Sequence, residues 1–359
     1  MTEVSWLEVS DFRNFARAEL RPVPGGLTVV TGENGAGKTS LLEAVGYAST
    51  LKSFRKSPRE ALVRTGASAA VVRIETLDAG RPTLVEIEIA GTGRDQVFRN
   101  RQRVARVADL AETARCTVFT PDDLALVKGG PQERREYLDD VAVAARPRLA
   151  ATRQAVERAL RQRNVLLRQA AGRSSPEVLA TLDVWDAQLA DAGSALTAAR
   201  AELVAELEPP ASAAYGRLTG ADGGLDLTYR RSYEGSLADA LAASRAEDLR
   251  RVVTTVGPHR DDLEVVSGGL DARSRLSQGR QRCVTLALRL AAHTVVGAHA
   301  GSAPVLLLDD AFSELDDATA TALLRELPAG QAILTTAGSL PRGAVPDSVV
   351  TVRDGRIVT

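Results

Sequence analysis

The chain has 359 residues, 44% of them hydrophobic, and its 45 Lys and Arg nearly balance 46 Asp and Glu for a formal net charge of −1. Such a length predicts about two domains with a sizeable core, and the charge balance leaves no global basic signal, so a nucleic-acid surface would have to be a local patch. Cys116 and Cys283 are too far apart for paired metal-ligand spacing or a disulfide framework, and no apolar run reaches the roughly 18 residues of a membrane helix; together with the acidic N-terminus MTEVSW this predicts a cytoplasmic protein with reduced thiols and no membrane span.

In chain order, LTVVT (27–31) predicts a short β-branched strand, followed by the glycine loop GENGAGKT and a helix with apolar residues at Leu41, Leu42, Val45 and Ala48. Residues 69–100 alternate apolar and polar in AVVRIET, TLVEIEIA and QVFRN, separated by AGRP and GTGR, which predicts an antiparallel meander. Within and beyond it, RDQVFRNRQRVAR (94–106) carries five arginines against one acid.

From about residue 132 glycine thins and helical periods begin. Leu149, Val156, Leu160 and Leu167 share one face, GRSSP (172–176) supplies a turn, and Leu182, Trp185, Leu189, Ala192, Leu196, Ala199 and Leu203 alternate spacings of three and four. That is the seam of a short antiparallel coiled-coil-like arm, roughly 30 to 45 Å long at about 1.5 Å per residue, with Pro209 and Pro210 expected to stop the second helix. Residues 146–173 hold eight arginines (146, 148, 153, 158, 161, 163, 168, 173) and one acid, Glu157.

After Val252 the α/β pattern returns. In SRLSQGRQRC (274–283), Ser277 is placed to cap a helix whose apolar face is Val284, Ala287, Leu288, Ala291 and Val295. PVLLLDD (304–310) predicts a strand buried on both faces and ending in Asp309 and Asp310, QAILTT (331–336) another, and SVVTVRDGRIVT a hairpin turning at Asp354-Gly355. The expected organisation is α/β: a head made of residues 1–131 and 251–359, split around a helical arm of residues 132–250.

The stretch Gly32, Glu33, Asn34, Gly35, Ala36, Gly37, Lys38, Thr39 fits the phosphate-loop pattern G-x-x-x-x-G-K-[ST] between strand and helix. Its backbone N–H groups would face phosphates, Lys38 the β and γ oxygens, and Thr39 a Mg²⁺ ion. Asp309 is the expected second metal ligand, and Asp310 is placed to orient a water.

Phosphate loop, Ser-x-Gly at a helix start, a buried strand ending in two acids, and then SELD (313–316) follow the order of ABC-type ATPases. The arm between Thr39 and Ser277 is similar to the SMC branch, and DFRNF (11–15), FTPDDLALVKGGPQERREYLDD (119–140) and VGPHRDDLEV (256–265) closely resemble the RecF family of bacterial recombination and replication-repair ATPases. The resemblance spans nearly the whole chain. It implies an ABC/SMC-type P-loop ATPase head with a β-rich lobe, ATP and Mg²⁺ as cofactors, Lys38, Asp309 and Asp310 as catalytic groups, and Ser277, Gln278 and Gly279 acting on the ATP of a second copy. It further implies an ATP-dependent homodimer on double-stranded DNA, weak DNA-stimulated hydrolysis, single-/double-strand junctions as an additional target, and RecR and RecO as partners in recombinase loading. Arg55, in LKSFRK, resembles the arginine loop of SMC heads, and Arg13 is read the same way.

Three positions depart from the usual pattern. Asp310 stands where ABC enzymes carry Glu, TTAG (335–338) where many carry a switch His, and FTPDDL where they carry a Gln; Thr335 or Thr336 is the expected stand-in for the His and Asp122 for the Gln. GPHRDD (257–262) is a polar cluster whose role, structural knot or relay, is open. With 4% aromatic residues the two arginine-rich stretches suggest contact with a duplex backbone rather than base stacking. The alternatives are a P-loop phosphotransferase for a small molecule, which leaves Ser277 and the arm unexplained, and a transporter ATPase subunit.

Overall fold

A computed structural model describes residues 2–358 apart from 79, 105–109, 111–112, 221–222, 339 and 342. It divides into two compact units, one of Met1–Asp123, Ala213–Asp222 and Thr285–Thr359, the other of Leu124–Ser212 and Gly223–Val284.

The first unit opens with β1 (Thr2–Phe12), β2 (Phe15–Leu20) and β3 (Leu27–Thr31), then helix α1 (Lys38–Thr50). Strands β4 (Ala69–Asp78), β5 (Arg81–Ala90), β6 (Gln96–Arg99) and β7 (Gln102–Arg103) extend the antiparallel sheet in the order β2-β1-β4-β5-β6-β7. The alternation visible in the sequence is the reason: in β4 every second side chain, from Ala70 to Thr76, is buried.

A second sheet combines β3 with β8 (Cys116–Phe119), β12 (Val305–Asp309), β13 (Ala332–Thr336), β14 (Ser348–Arg353) and β15 (Arg356–Val358), in the order β15-β14-β3-β13-β12-β8. All but β15 run parallel. β12 and β13 are buried at every residue, as the apolar runs Val305–Leu308 and Ala332–Leu334 require of central parallel strands, with Asp309, Thr335 and Thr336 buried at their ends. The register sets Asp309 beside Thr335 and Thr336 beside Thr31. The carboxyl ends of the strands therefore share one edge, where parallel sheets of this kind bind ligands.

The second unit holds α2 (Pro131–Ala145), α3 (Leu149–Ala170), most of α4 (Pro176–Thr219), and α5 (Leu237–Arg251). A small sheet joins β9 (Leu225–Arg230), β10 (Asp262–Ser267) and β11 (Leu270–Asp271). α3 and α4 pair antiparallel as expected: Leu167 and Ala170 meet Leu182 near the turn, while Val156 and Ala159 meet Leu189 and Leu196 farther along. A third helix joins the seam, since Leu237, Leu241 and Leu249 of α5 complete the same clusters.

Pro209 and Pro210 do not stop α4, which runs through both to Thr219. Leu207, two residues before them, and Ala211, directly after, are wholly buried. Burial on that scale offsets an interior-proline cost of about 3 kcal/mol, which local propensity alone would take as decisive.

The last long helix, α6 (Gln278–Ala300), is the one described helix long and apolar enough to cross a membrane, but 67% of its most apolar window is buried inside the protein. It is a core helix by that measure.

Candidate nucleotide site

Gly32 to Lys38 connect β3 to α1. Two glycines are required by geometry. Gly32 has φ of 149°, and a Cβ there would lie 2.2 Å from the Val352 carbonyl oxygen; Gly37 has φ of 118°, and a Cβ there would strike the Phe15 ring at 2.7 Å. Lys38 Nζ donates to the carbonyls of Gly32 and Glu33, both at 2.8 Å, which curls the ammonium back over the loop. From outside, Asn14 Nδ2 and the Gly355 N–H both donate to the Ala36 carbonyl, at 2.8 and 3.1 Å. Asn14 and Gly355 are thus braces of the loop. DFRNF contains Asn14, but nothing in that string says that its amide reaches residue 36.

Beneath the loop, Thr39 Oγ1 donates to Asp309 Oδ1 at 2.8 Å and Thr335 Oγ1 donates to the same oxygen at 2.7 Å. Burial raises the Asp309 carboxyl above its ordinary value, helped by the charge of Asp310; the two threonine bonds and the charge of Arg55 pull it back down. Asp310 has φ of 46°, a left-handed conformation, and its N–H donates to both the carbonyl and the hydroxyl of Thr335, at 3.1 Å each. Thr335 therefore holds both acids. Thr336 turns away and closes a local turn on Gly338.

The donor set fits Mg²⁺. Hard oxygens of one carboxylate and one hydroxyl, beside a loop of phosphate-binding form, suit an ion that keeps several waters and takes the rest of its shell from phosphates. Among the described residues no group of three His, Cys, Asp or Glu forms a dedicated metal cage.

Arg13 is tied into a hydrogen-bond network with α1 and the segment that follows it. Its Nε and Nη2 bind Glu43 of α1 at 2.7 and 2.6 Å, Nη2 also reaches Ser57, and Nη1 reaches the Ala61 carbonyl at 2.9 Å. Ser53 donates to the same fully buried Glu43 at 2.5 Å. This network pins the segment carrying Arg55, whose side chain stays exposed and whose charge reaches Asp309.

Ser277 does cap α6: its carbonyl accepts the Gln281 N–H at 2.9 Å, and its hydroxyl accepts the Arg280 N–H at a long 3.4 Å. Ser277, Gln278, Gly279 and Arg280 are all exposed. Of the two aspartates after Phe119, Asp122 is exposed, whereas Asp123 accepts the Thr120 N–H at 2.8 Å and pairs with Arg289 of α6.

GPHRDD is a structural knot in the second unit. Asp261 is fully buried and accepts the Tyr229 hydroxyl at 2.6 Å and the Ser232 N–H at 2.8 Å. Asp262 holds Arg134 through two bonds of 2.7 and 2.9 Å, and the Pro258 carbonyl accepts Arg200, which also grips Asp139. Burial lowers His259 to about 4, so its ring is neutral where it contacts the Thr254 carbonyl.

The arginine-rich stretch 146–173 is less available than its charge suggested. Arg163 is fully buried between Asp186 and Asp248, Arg146 pairs with Glu202 and Glu206, and Arg153 with Asp140 and Glu157. Arg148, Arg158, Arg161, Arg168 and Arg173 remain exposed. In the other stretch Arg94, Arg99, Arg101 and Arg103 are exposed around the β6–β7 hairpin, and Arg106 lies outside the described residues.

The family model for the RecF/RecN/SMC N terminal domain matches residues 3–338. The Smc head domain of Pyrococcus furiosus with an extended coiled coil, bound to the C-terminal domain of ScpA, superposes with a TM-score of 0.60 at 17% identity over 100% of this chain and 96% of that one. Fold and loop together define an SMC-type ATPase head with an inserted helical arm. The DNA replication and repair protein RecF of Beutenbergia cavernae is 40% identical over 93% of both chains, and that of Streptomyces avermitilis 41% identical over 98% of this chain and 96% of its own. A structure of the recombination mediator protein RecF with ATP, of the RecFOR pathway, covers 99% of this chain and 97% of its own at 26% identity with a TM-score of 0.90. The chain belongs to the RecF family.

Proposed function

We propose that this chain is an ATP-driven DNA-binding protein of replication and recombinational repair, in which ATP binding pairs two copies on double-stranded DNA and slow hydrolysis releases them. The observation that carries the reading is the meeting of Thr39, Asp309 and Thr335 beneath the phosphate loop. Functionally the head is residues 1–131 with 251–359 and the arm residues 132–250, because the loop, the acids and Ser277 all fall in the former.

Gly32 to Thr39 hold the triphosphate, Lys38 neutralises its β and γ oxygens, Thr39 and Asp309 hold Mg²⁺, and Arg55 adds positive charge from the exposed side. When bound, Mg²⁺ and ATP supply charge neutralisation and the phosphoanhydride whose cleavage drives the cycle. Asp310 orients the attacking water, and being one methylene shorter than Glu it does so at longer reach, which makes turnover slow and suits a timer. Ser277, Gln278 and Gly279 present an exposed helix N-terminus to the phosphates held by a second copy.

Duplex contact uses the exposed arginines of α3 and of the β6–β7 hairpin, binding backbone without reading sequence, with DNA stimulating hydrolysis. Partners are RecR and RecO, as the RecFOR pathway of the ATP-bound relative suggests, with single-/double-strand junctions as the target and the cytoplasm as the place.

Sedimentation with and without ATP tests the pairing. Wild type shifts to dimer with ATP, and Ser277→Arg stays monomeric while binding nucleotide normally. Undiminished dimerisation of that variant refutes the action of Ser277 on a second copy, and a wild type that turns over ATP as a monomer favours the small-molecule phosphotransferase.

A further inference from the structure

Asp95 lies in the turn between β5 and β6, at the root of the basic hairpin, and its carboxylate gathers three elements of the first unit. Oδ1 accepts the Ala90 N–H at 3.1 Å and Arg59 Nη1 at 3.3 Å, and Oδ2 accepts the Tyr47 hydroxyl at 3.1 Å. Arg59 Nη1 also donates to the Gly93 carbonyl at 2.8 Å, so the turn is held at two points. Tyr47 belongs to α1, the helix that begins with Lys38, and is 3% exposed. Burial and then the Asp95 carboxylate push its phenol above the ordinary value, which keeps the hydroxyl a donor.

Arg59 follows the segment carrying Arg55. That segment is tied to α1 at its other end by Ser53 and Ser57 through Glu43 and Arg13. It is therefore strung between two anchor points of one helix, Glu43 directly and Tyr47 by way of Arg59 and Asp95. On the outer side, β6 is paired with β5 from Gln96 to Arg99, and β7 with β6, so the hairpin bearing Arg99, Arg101 and Arg103 is continuous with the sheet and ends at the Asp95 turn. The Asp95 turn thus bonds the root of this hairpin both to α1 and to the residue that follows the Arg55 segment.

We propose that Asp95 is a positioning residue through which duplex DNA held on the Arg94 to Arg103 hairpin regulates the nucleotide site, by shifting α1 and the Arg55 segment together. The proposal rests on the reading of this hairpin as a duplex contact. Coupling between two sites is reciprocal: duplex tightens nucleotide by the same factor as nucleotide tightens duplex.

The test uses the full chain, Mg²⁺, a fluorescent non-hydrolysable ATP analogue and a duplex oligonucleotide, with each affinity measured in the presence and absence of the other ligand. In wild type, duplex tightens the analogue by about fivefold or more. Tyr47→Phe, which removes a single hydroxyl and leaves the ring to fill its place, brings that factor to about one while leaving duplex affinity without nucleotide unchanged; Asp95→Ala does the same where it folds. A wild type that binds both ligands independently, or a Tyr47→Phe variant that keeps the full factor, overturns the proposal. Wild type that binds no duplex at low salt, or binds it equally well with Arg99, Arg101 and Arg103 all changed to Ala, overturns the duplex reading itself and the coupling with it, an outcome separable from binding without coupling.

Discussion

Thr39 Oγ1 donates to Asp309 Oδ1 across 2.8 Å, although 270 residues separate the two. The phosphate loop and the acid of the central strand are one hydrogen-bonded unit, and burying the carboxylate at its centre costs stability.

Asp309→Asn is accordingly expected to raise the melting temperature of the nucleotide-free protein near neutral pH and to abolish stabilisation by Mg²⁺-ATP. The sign follows from linkage: a carboxyl raised above its ordinary 3.8 favours the folded state most when protonated, and that contribution is lost as pH rises through the folded value. Thermal unfolding with and without Mg²⁺-ATP checks both halves; a variant less stable than wild type without ligand contradicts the argument.

Thr335→Val removes one of the two hydroxyl donors on Asp309 and the side-chain acceptor of the Asp310 N–H. The expected loss is about tenfold to a hundredfold in apparent Mg²⁺ affinity, with nucleotide binding without metal little changed. Thr335→Ser should restore most of it. Isothermal titration of Mg²⁺ into the nucleotide complex measures the difference.

Asp310→Asn retains the shape of the residue and removes the charge proposed to orient water. Single-turnover hydrolysis should fall by about a hundredfold or more, while ATP-dependent dimers on duplex persist longer than those of wild type. Hydrolysis at the wild-type rate would assign the water to another group.

The arginines of α3 separate into two classes with different readouts. Arg163→Met strands Asp248 in the interior and should lower unfolding stability by about 3 to 5 kcal/mol. Changing Arg158, Arg161 and Arg168 together to Ala should leave urea unfolding nearly unchanged and flatten the salt dependence of duplex binding, by about 0.9 in log–log slope for each phosphate no longer neutralised.

His259 and His293 are both lowered by burial to about 4. Each contributes stability that is present above the unfolded value of 6.5 and is lost as pH falls toward 4, up to about 3 kcal/mol apiece. Urea midpoints at pH 7 and pH 5 should differ, and the difference should shrink in a His259→Gln, His293→Gln double variant.

Much of this molecule was legible along the chain. Strand, loop and helix around Gly32 to Thr39, the doubly buried run Val305 to Asp309, and the cap at Ser277 each follow from side-chain chemistry and periodicity within a dozen residues, where backbone geometry alone sets the outcome. The sequence by itself determined the phosphate-loop, acid-strand and capped-helix elements and their order. What it could not contain is which distant group meets which. Arg163, counted with a basic surface, finds Asp248 85 residues later in the interior; Arg13 finds Glu43 of α1; Pro209 and Pro210 stay helical because Leu207 and Ala211 close by are buried; and Thr335, an ordinary strand residue by its local pattern, holds both acids. These outcomes were decided only by the tertiary structure, because desolvation and hydrogen-bond partners are properties of the packed interior, and they outweigh local propensity and formal charge wherever a side chain is taken out of water.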